Sequence, residues 1–376
     1  MAVVEQLNIG IVGACGRGFE LGRVLCAIPQ ARVHAVCDVA SARLDEVARQ
    51  LGAAEKYDHY EAMLERAELD AVIVATPMPL HAPQSIAALR RGLHVLSEVP
   101  AAVGAAECRA LAEACRASGR VYTMAENFNF YRPNVAVAEM VRRGLFGTVY
   151  HASADYWDEY KAHNEVTPWR RLWQTGINGI TYGTHSLGPL LMWMAGDRIV
   201  SVCCAGSGHH HRDPRGDYYE NEDACVMLGR LRSGGLIVLR HDMTSDRPQA
   251  YHVNGLLGTD GCYESSRLLK GYRPAGTNRI WLRSRCPDRE TWLDLATIDE
   301  EFLPEGYIEQ ERLAAEKGLA FYAYFPVADW VEAILQSRPP AIGIDEALDM
   351  TLPGLVSQES IAQGGAWLPV PDSRDW

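Results

Sequence analysis

The first 126 residues alternate two patterns. Short apolar runs, "LNIGIV", "VHAVCD", "LDAVIVATP", "HVLSEVP" and "RVYTMAE", have the look of strands. Between them lie stretches rich in Ala, Leu, Glu and Arg with helical spacing, such as Ser41–Leu51 and Ala105–Ser118. Apolar strands that alternate with helices predict a parallel sheet with helices on both faces. After about Asn127 the pattern changes. One helix is expected over 135–144, closed by its glycine. Strands then follow with few helices: Val149–Trp157, 200–204, 224–230, Leu236–Asp242, 251–257 and 279–283. "RSGG" at positions 232–235 is a hairpin turn between two of them. Beyond Pro339-Pro340 a helix returns over 345–361.

The expected organisation is therefore α/β. Residues 1–126 form a doubly wound dinucleotide-type domain, with a helix at about 345–362 packing back on it. Residues 127–340 form an α+β domain for substrate and oligomerisation, with an open, mainly antiparallel sheet.

A length of 376 residues suits two domains. There are 36 Lys and Arg against 48 Asp and Glu, a formal charge of −12. With no basic block, this argues against a nucleic-acid or anionic-membrane partner. No apolar run approaches the roughly 18 residues of a membrane span. The N-terminal stretch lacks the basic segment and small-residue cleavage site of a signal peptide. Ten cysteines without a C-x-x-C predict free thiols in a reducing cytoplasm. His209–His211 invite a metal reading. Neighbouring histidines on a strand point to opposite faces, however, so a solvated loop and no metal site are expected.

Chemistry begins with "IGIVGACGRGF". It sets Gly13, Gly16 and Gly18 between a strand and a helix, with Cys15 in the middle place of G-x-G-x-x-G and Arg17 beside it. Such glycines permit a tight turn and a close approach of pyrophosphate to a helix N-terminus. Asp38 ends the second strand, where a carboxylate accepts hydrogen bonds from an adenosine ribose and repels a 2′-phosphate. NAD is thus favoured over NADP. The plainer alternative is a glycine turn and an aspartate capping the next helix. Thr76 and Pro77 follow the fourth strand at the edge where ligands of such sheets bind. His81, at the same edge, belongs with the cofactor set or serves as a capping and packing residue.

These segments, with "ALRRGLHVLSEVP", "VRRGLFGTV" and "QESIAQGG", resemble the glucose–fructose oxidoreductase/inositol dehydrogenase (Gfo/Idh/MocA) family along nearly the whole chain. The resemblance implies a Rossmann domain, an open sheet that often forms a homo-oligomer interface, and hydride transfer at a sugar or cyclitol carbon with a nicotinamide cofactor. Two departures stand out. The family's Glu-Lys-Pro is Glu98-Val99-Pro100 here, so its proton-transferring lysine is missing. Its Asp-x-Gly-x-His-x-x-Asp is Thr181-Tyr182-Gly183-Thr184-His185-Ser186-Leu187-Gly188, with the histidine kept and both aspartates gone. Both departures resemble the glycoside hydrolase family 109 branch, as do Glu126-Asn127 and Tyr156. That branch retains NAD, oxidises the sugar at C3, eliminates the aglycone across C1–C2, adds water and reduces again. The resemblance also adds Glu98 and Asn127 to the cofactor set, Glu98 orienting its neighbours or meeting the nicotinamide ribose.

With no lysine at position 99, Tyr182 and His185 become the leading acid/base candidates. Spaced i, i+3, they share a face if helical. Pro189 suits a first helical turn, which would put both rings at or just before the helix start. A helix N-terminus disfavours a charged imidazole, so His185 would stay neutral. The bland alternative is a capping histidine and a packed tyrosine. Elimination needs a base at C2 and an acid for the leaving group, for which Tyr156 and Glu126 are candidates. Trp169, Arg170 and Arg171 lie in a segment whose rings and guanidinium groups suit a sugar, or which simply covers the pocket. Three functions stay open: a redox-neutral glycosidase, a net sugar or cyclitol dehydrogenase or reductase, and a dinucleotide-binding sensor.

Overall fold

Each apolar run of the N-terminal third becomes a strand of one sheet. The computed structural model describes residues 6–194, 196–270 and 273–376. The first unit holds β1 (Leu7–Val12), α1 (Arg17–Leu25), β2 (Ala31–Cys37), α2 (Ser41–Leu51), β3 (Glu55–Tyr57), α3 (Tyr60–Arg66), β4 (Ala71–Val74), α4 (His81–Arg90), β5 (His94–Ser97), α5 (Ala105–Ser118) and β6 (Tyr122–Met124). The strands lie in the order β3-β2-β1-β4-β5-β6. Every neighbouring pair is parallel. This is the strand order of a dinucleotide-binding Rossmann sheet. Burial on both faces explains the unbroken apolar runs, and all of β4 is buried. The sequence pattern missed β3. It is a three-residue edge strand, half exposed and polar, so it carries no apolar run.

The second unit contains α6 (Arg132–Arg142), β7 (Val149–Trp157), α7 (Lys161–Val166), α8 (Trp169–Trp173), α9 (Thr184–Trp193), β8 (Ile199–Gly206), β9 (Ala224–Leu231), β10 (Leu236–Asp242), β11 (Ala250–Gly258), β12 (Gly261–Glu264), β13 (Leu268–Lys270), β14 (Arg273–Ala275), β15 (Arg279–Leu282) and β16 (Leu293–Asp294). Further on come α10 (Tyr307–Glu316), α11 (Phe321–Gln336), α12 (Ile344–Ala362) and β17 (Leu368–Pro369). A nine-stranded sheet runs β16-β15-β12-β11-β7-β10-β9-β8-β17. All its pairs are antiparallel except β7 with β10. The expected turn at 232–235 joins β9 to β10, with Gly234 at φ +96°.

Helix α6 starts three residues before its expected position. Pro133 sits in its first turn, where the missing N–H costs nothing, and Gly144 follows its end at φ +75°. The crowded segment after β7 is not a plain loop but carries α7 and α8. Pro189 corrects an expectation. It lies inside α9, in the second turn, and cannot donate to the carbonyl of His185. Tyr182 nevertheless precedes α9, and His185 lies in its first turn.

The chain divides into two compact units. One comprises residues to Asn127, Gly306–Leu348 and Ser373–Trp376; the other comprises Phe128–Glu305 and Asp349–Asp372. In the second, α9 packs on β7 and β11. Trp193 is fully buried there and donates from its indole to Asn134 O at 2.9 Å. The approach to α9 is braced by α12: Ile180 N–H donates to Ser357 Oγ at 2.8 Å. Gly354 makes that contact close, because a Cβ there would stand 2.3 Å from Ile180 O. Among the described residues no helix is long and apolar enough to cross a membrane.

Candidate functional site

The loop after β1 is shaped by its glycines. Gly13 has φ +78°, and a Cβ on it would lie 2.4 Å from Ala75 O. A Cβ on Gly18 would lie 2.6 Å from Gly13 O and 2.9 Å from Ile11 Cγ2. Gly13 therefore brings the loop against the exit of β4, and Gly18 brings α1 against β1. Gly16 differs: nothing lies within 4 Å of a Cβ there, and no side chain caps α1. The helix end is thus open to an approaching phosphate. Asp38 accepts from Cys15 N–H (2.7 Å) through one carboxylate oxygen and from Ala40 N–H (2.8 Å) through the other. It fastens the glycine loop to the end of β2, and each oxygen keeps a further lone pair for a ribose hydroxyl. The Cys15 thiol is buried, and burial with the Asp38 carboxylate pushes it up to about 11. It is a neutral packing group. An open helix end, a glycine cradle and a held carboxylate fit a dinucleotide.

The other cofactor-side candidates of this unit fall into two groups. Arg17 donates through Nε to Glu98 Oε1 at 2.8 Å and also pairs with Glu20. Thr76 donates to Gln84 Oε1 at 2.6 Å and stays half-exposed with Pro77. His81 is taken up internally: its Nδ1 lies 2.9 Å from Pro100 O and its Nε2 2.7 Å from Thr76 O. Burial lowers its proton affinity. Its ring braces the turns after β4 and β5 instead of facing a ligand. Val99 is buried at 5% exposure, so an apolar side chain fills the place of the family lysine. Glu126 is fully buried just past β6, and Asn127 is nearly so.

In the second unit the ring residues converge. Tyr182 Oη lies 3.2 Å from His185 Nε2, with the rings edge to face at 5.2 Å. His185 stacks on Phe128 at 4.3 Å and 14°. Tyr156 reaches the same group from β7, 6.1 Å from His185 and 6.2 Å from Tyr182 between ring centres. Its hydroxyl shares a 3.0 Å hydrogen bond with that of Tyr160. Burial, reinforced by neighbouring phenols, raises both Tyr156 and Tyr160 well above the ordinary phenol range. Both are therefore hydrogen-bond donors at neutral pH. Arg170 donates to Gln174 Oε1 at 2.6 Å, with its guanidinium carbon 4.5 Å from the Trp169 ring and 5.9 Å from that of Tyr160. Arg171 turns away to Asp213, Glu220 and Tyr218 O and stacks on Tyr219.

Tyr160, His241, Ser186, Phe128 and Tyr251 belong to this cluster and were not singled out from sequence. Tyr251 stacks on Tyr156 at 5.6 Å. His241 had one usable signal. In "LIVLRHD" it shares the buried alternation of Ile237 and Leu239, a core position unusual for an imidazole. Tyr160 had none, because it depends on how the chain turns after β7.

The comparisons place both units among known families. Residues 7–126 match the model of the oxidoreductase family with an NAD-binding Rossmann fold, and residues 130–375 match the C-terminal domain of glycosyl hydrolase 109. A "Glycosyl hydrolase family 109 protein" of Saccharopolyspora erythraea is 29% identical, over 98% of this chain and 83% of its own. An "Alpha-N-acetylgalactosaminidase" of Shewanella oneidensis is 29% identical over 69% of this chain and 63% of its own. Among solved structures, a levoglucosan dehydrogenase in complex with NADH and levoglucosan has a TM-score of 0.78 at 19% identity, covering 97% of this chain and all of that one. A scyllo-inositol dehydrogenase from Lactobacillus casei has a TM-score of 0.73 at 17% identity, covering 98% and 99%. With a Rossmann sheet and a glycine cradle in its first unit and both family models matched, the chain belongs to the NAD-binding Gfo/Idh/MocA oxidoreductases, in the glycosyl hydrolase 109 family.

Proposed function

We propose that this protein hydrolyses a glycoside by a redox-neutral route with retained NAD. The observation that carries the reading is the 3.2 Å pair of Tyr182 Oη and His185 Nε2 at the start of α9, in a chain with a buried valine at position 99. Gly13, Cys15, Gly16, Arg17, Gly18, Asp38, Thr76, Pro77, Glu98 and Asn127 would hold the dinucleotide. When bound, NAD supplies a reversible hydride sink at a sugar carbinol carbon.

The chain's own groups move the protons. With the His185 proton on Nδ1, Nε2 accepts from Tyr182 O–H, and the phenol oxygen can then take the sugar hydroxyl proton as its own passes to the imidazole. A ketone at C3 acidifies the C2–H, and the carboxylate of Glu126 is the candidate base for it. As the C2 proton leaves, the C1–O bond breaks. Tyr156, held protonated by burial, gives its proton to the departing oxygen, with Tyr160 behind it as resupply. Water then adds at C1 and gives a proton back to the Tyr156–Tyr160 pair. A solvent-exchanged proton is returned to C2 from Glu126, and as the carbonyl is reduced again the Tyr182–His185 pair returns a proton to the C3 oxygen. Arg170 and Trp169 offer a cation and a ring for sugar hydroxyls and faces.

The relative named alpha-N-acetylgalactosaminidase supports a glycoside substrate. Ten free cysteines support a cytoplasmic setting. Exposed Val226, Leu236 and Leu257 on the sheet face away from α9 support homo-oligomerisation through that face. Light scattering on wild type and on Leu236→Asp/Leu257→Asp tests this: the variant should halve the mass of a dimer, and an unchanged mass would contradict it.

The function is tested by denaturing the purified protein and weighing the released small molecules, then screening nitrophenyl glycosides without added nucleotide. Near-stoichiometric NAD and glycoside cleavage without NADH formation are expected. Net NADH formation from an intact sugar would make the protein a dehydrogenase.

A further inference from the structure

His241 lies at the end of β10 and is 3% exposed. It is in register with Tyr156 on parallel β7 and with Cys225 on antiparallel β9. Its ring packs against that of Tyr156, with centres 5.3 Å apart and planes at 31°. Its Nε2 lies 2.9 Å from Ser186 Oγ, on the residue after His185 in the first turn of α9. No group among the described residues bonds Nδ1. A proton on Nδ1 would be a buried donor without an acceptor, which is costly. The proton therefore sits on Nε2 and donates to Ser186 Oγ. Burial, with His185 nearby, disfavours a second proton.

We propose that His241 is a positioning residue, a neutral strut that fixes Tyr156 on one side and, through Ser186, the His185 turn on the other. The inference rests on the reading that Tyr156 and His185 handle substrate protons. Two groups on different elements must meet one sugar, and small misplacements of reacting groups are expensive. His241 touches both supports and, unable to hold a proton at neutral pH, transfers none.

The test combines a mutant cycle with nitrogen-15 histidine NMR on the full chain. His241→Phe keeps a ring against Tyr156 and loses the bond; Ser186→Ala loses the bond and keeps the ring. Each should lower kcat, by up to about 100-fold, while leaving KM and bound NAD unchanged. The double variant should be no worse than the poorer single. In the spectra, wild-type His241 should be neutral with its proton on Nε2, and each single variant should move the His185 ring signals. Additive losses, or variants that change only melting temperature with His185 signals unmoved, would overturn the strut. If the wild type turns over no sugar, the functional reading fails, and the NMR arm alone decides the role of His241.

Discussion

His185 and Tyr182 hold each other by a side-chain hydrogen bond, and their rings are packed by Phe128 and Tyr156. Removing an oriented acid/base group typically costs roughly 10²–10⁴ in rate. His185→Ala should lose at least the lower end of that range, with NAD content and melting temperature close to wild type. Tyr182→Phe keeps the edge-to-face packing and should lower turnover without unfolding. Full activity in both would make the pair structural. His241 gives a pH prediction. It faces Tyr156 from β7, His185 and Ser186 from α9, and Cys225 from β9. Burial drives it down to about 3 from 6.5. As pH falls the unfolded chain binds this proton first. The stability contributed by neutral His241 is thus complete above about 6.5 and drains toward about 3, at about 1.4 kcal/mol per pH unit. Between pH 6.5 and 5, wild type should lose about 2 kcal/mol more than His241→Phe in urea denaturation. Equal losses would show that His241 is protonated in the folded state.

At the scale of elements, turns and caps set the site. Gly13 combines φ +78° with a Cβ position 2.4 Å from Ala75 O. Gly13→Ala should therefore both destabilise the first unit and abolish NAD binding, as read by thermal shift with and without NAD. Ser357 supports the second unit from α12. Ser357→Ala would leave the buried Ile180 N–H unpaired and should cost about 1–3 kcal/mol in chemical denaturation. A cost near zero would show that the brace is dispensable. The same scale explains what was legible. Apolar runs announced β1, β2, β4, β5 and β6, and Gly13 to Gly18 announced the cradle, because each signal is local. The edge strand β3 is polar, and β12, β13, β14, β16 and β17 are too short to hold a pattern, whereas β15 was legible at 279–283. Tyr182 and His185 were visible as neighbours in sequence. His241 and Tyr156 meet only through the parallel β7–β10 register, which no local spacing encodes; Tyr160 arrives from the turn after β7, and Tyr251 from the start of β11.

For the whole molecule the labour is divided between a unit that fits the dinucleotide and a unit that gathers phenols and imidazoles. Val99 is where this protein departs from a lysine-dependent dehydrogenase. Val99→Lys would bury an ammonium at a site 5% exposed in the wild type. It should lower stability in thermal melts and leave turnover no higher; a large gain in rate would mark the valine as a lost lysine. The central claim is that the hydride comes back and the C2 proton leaves and returns. The most direct measurement uses a cleavable glycoside deuterated at C2, incubated with purified protein in ordinary water, with the sugar product analysed by mass spectrometry and the absorbance at the NADH band followed. The account predicts loss of the C2 label to solvent, cleavage of the glycosidic bond and no net NADH. Retention of the C2 deuterium together with net NADH formation would contradict it.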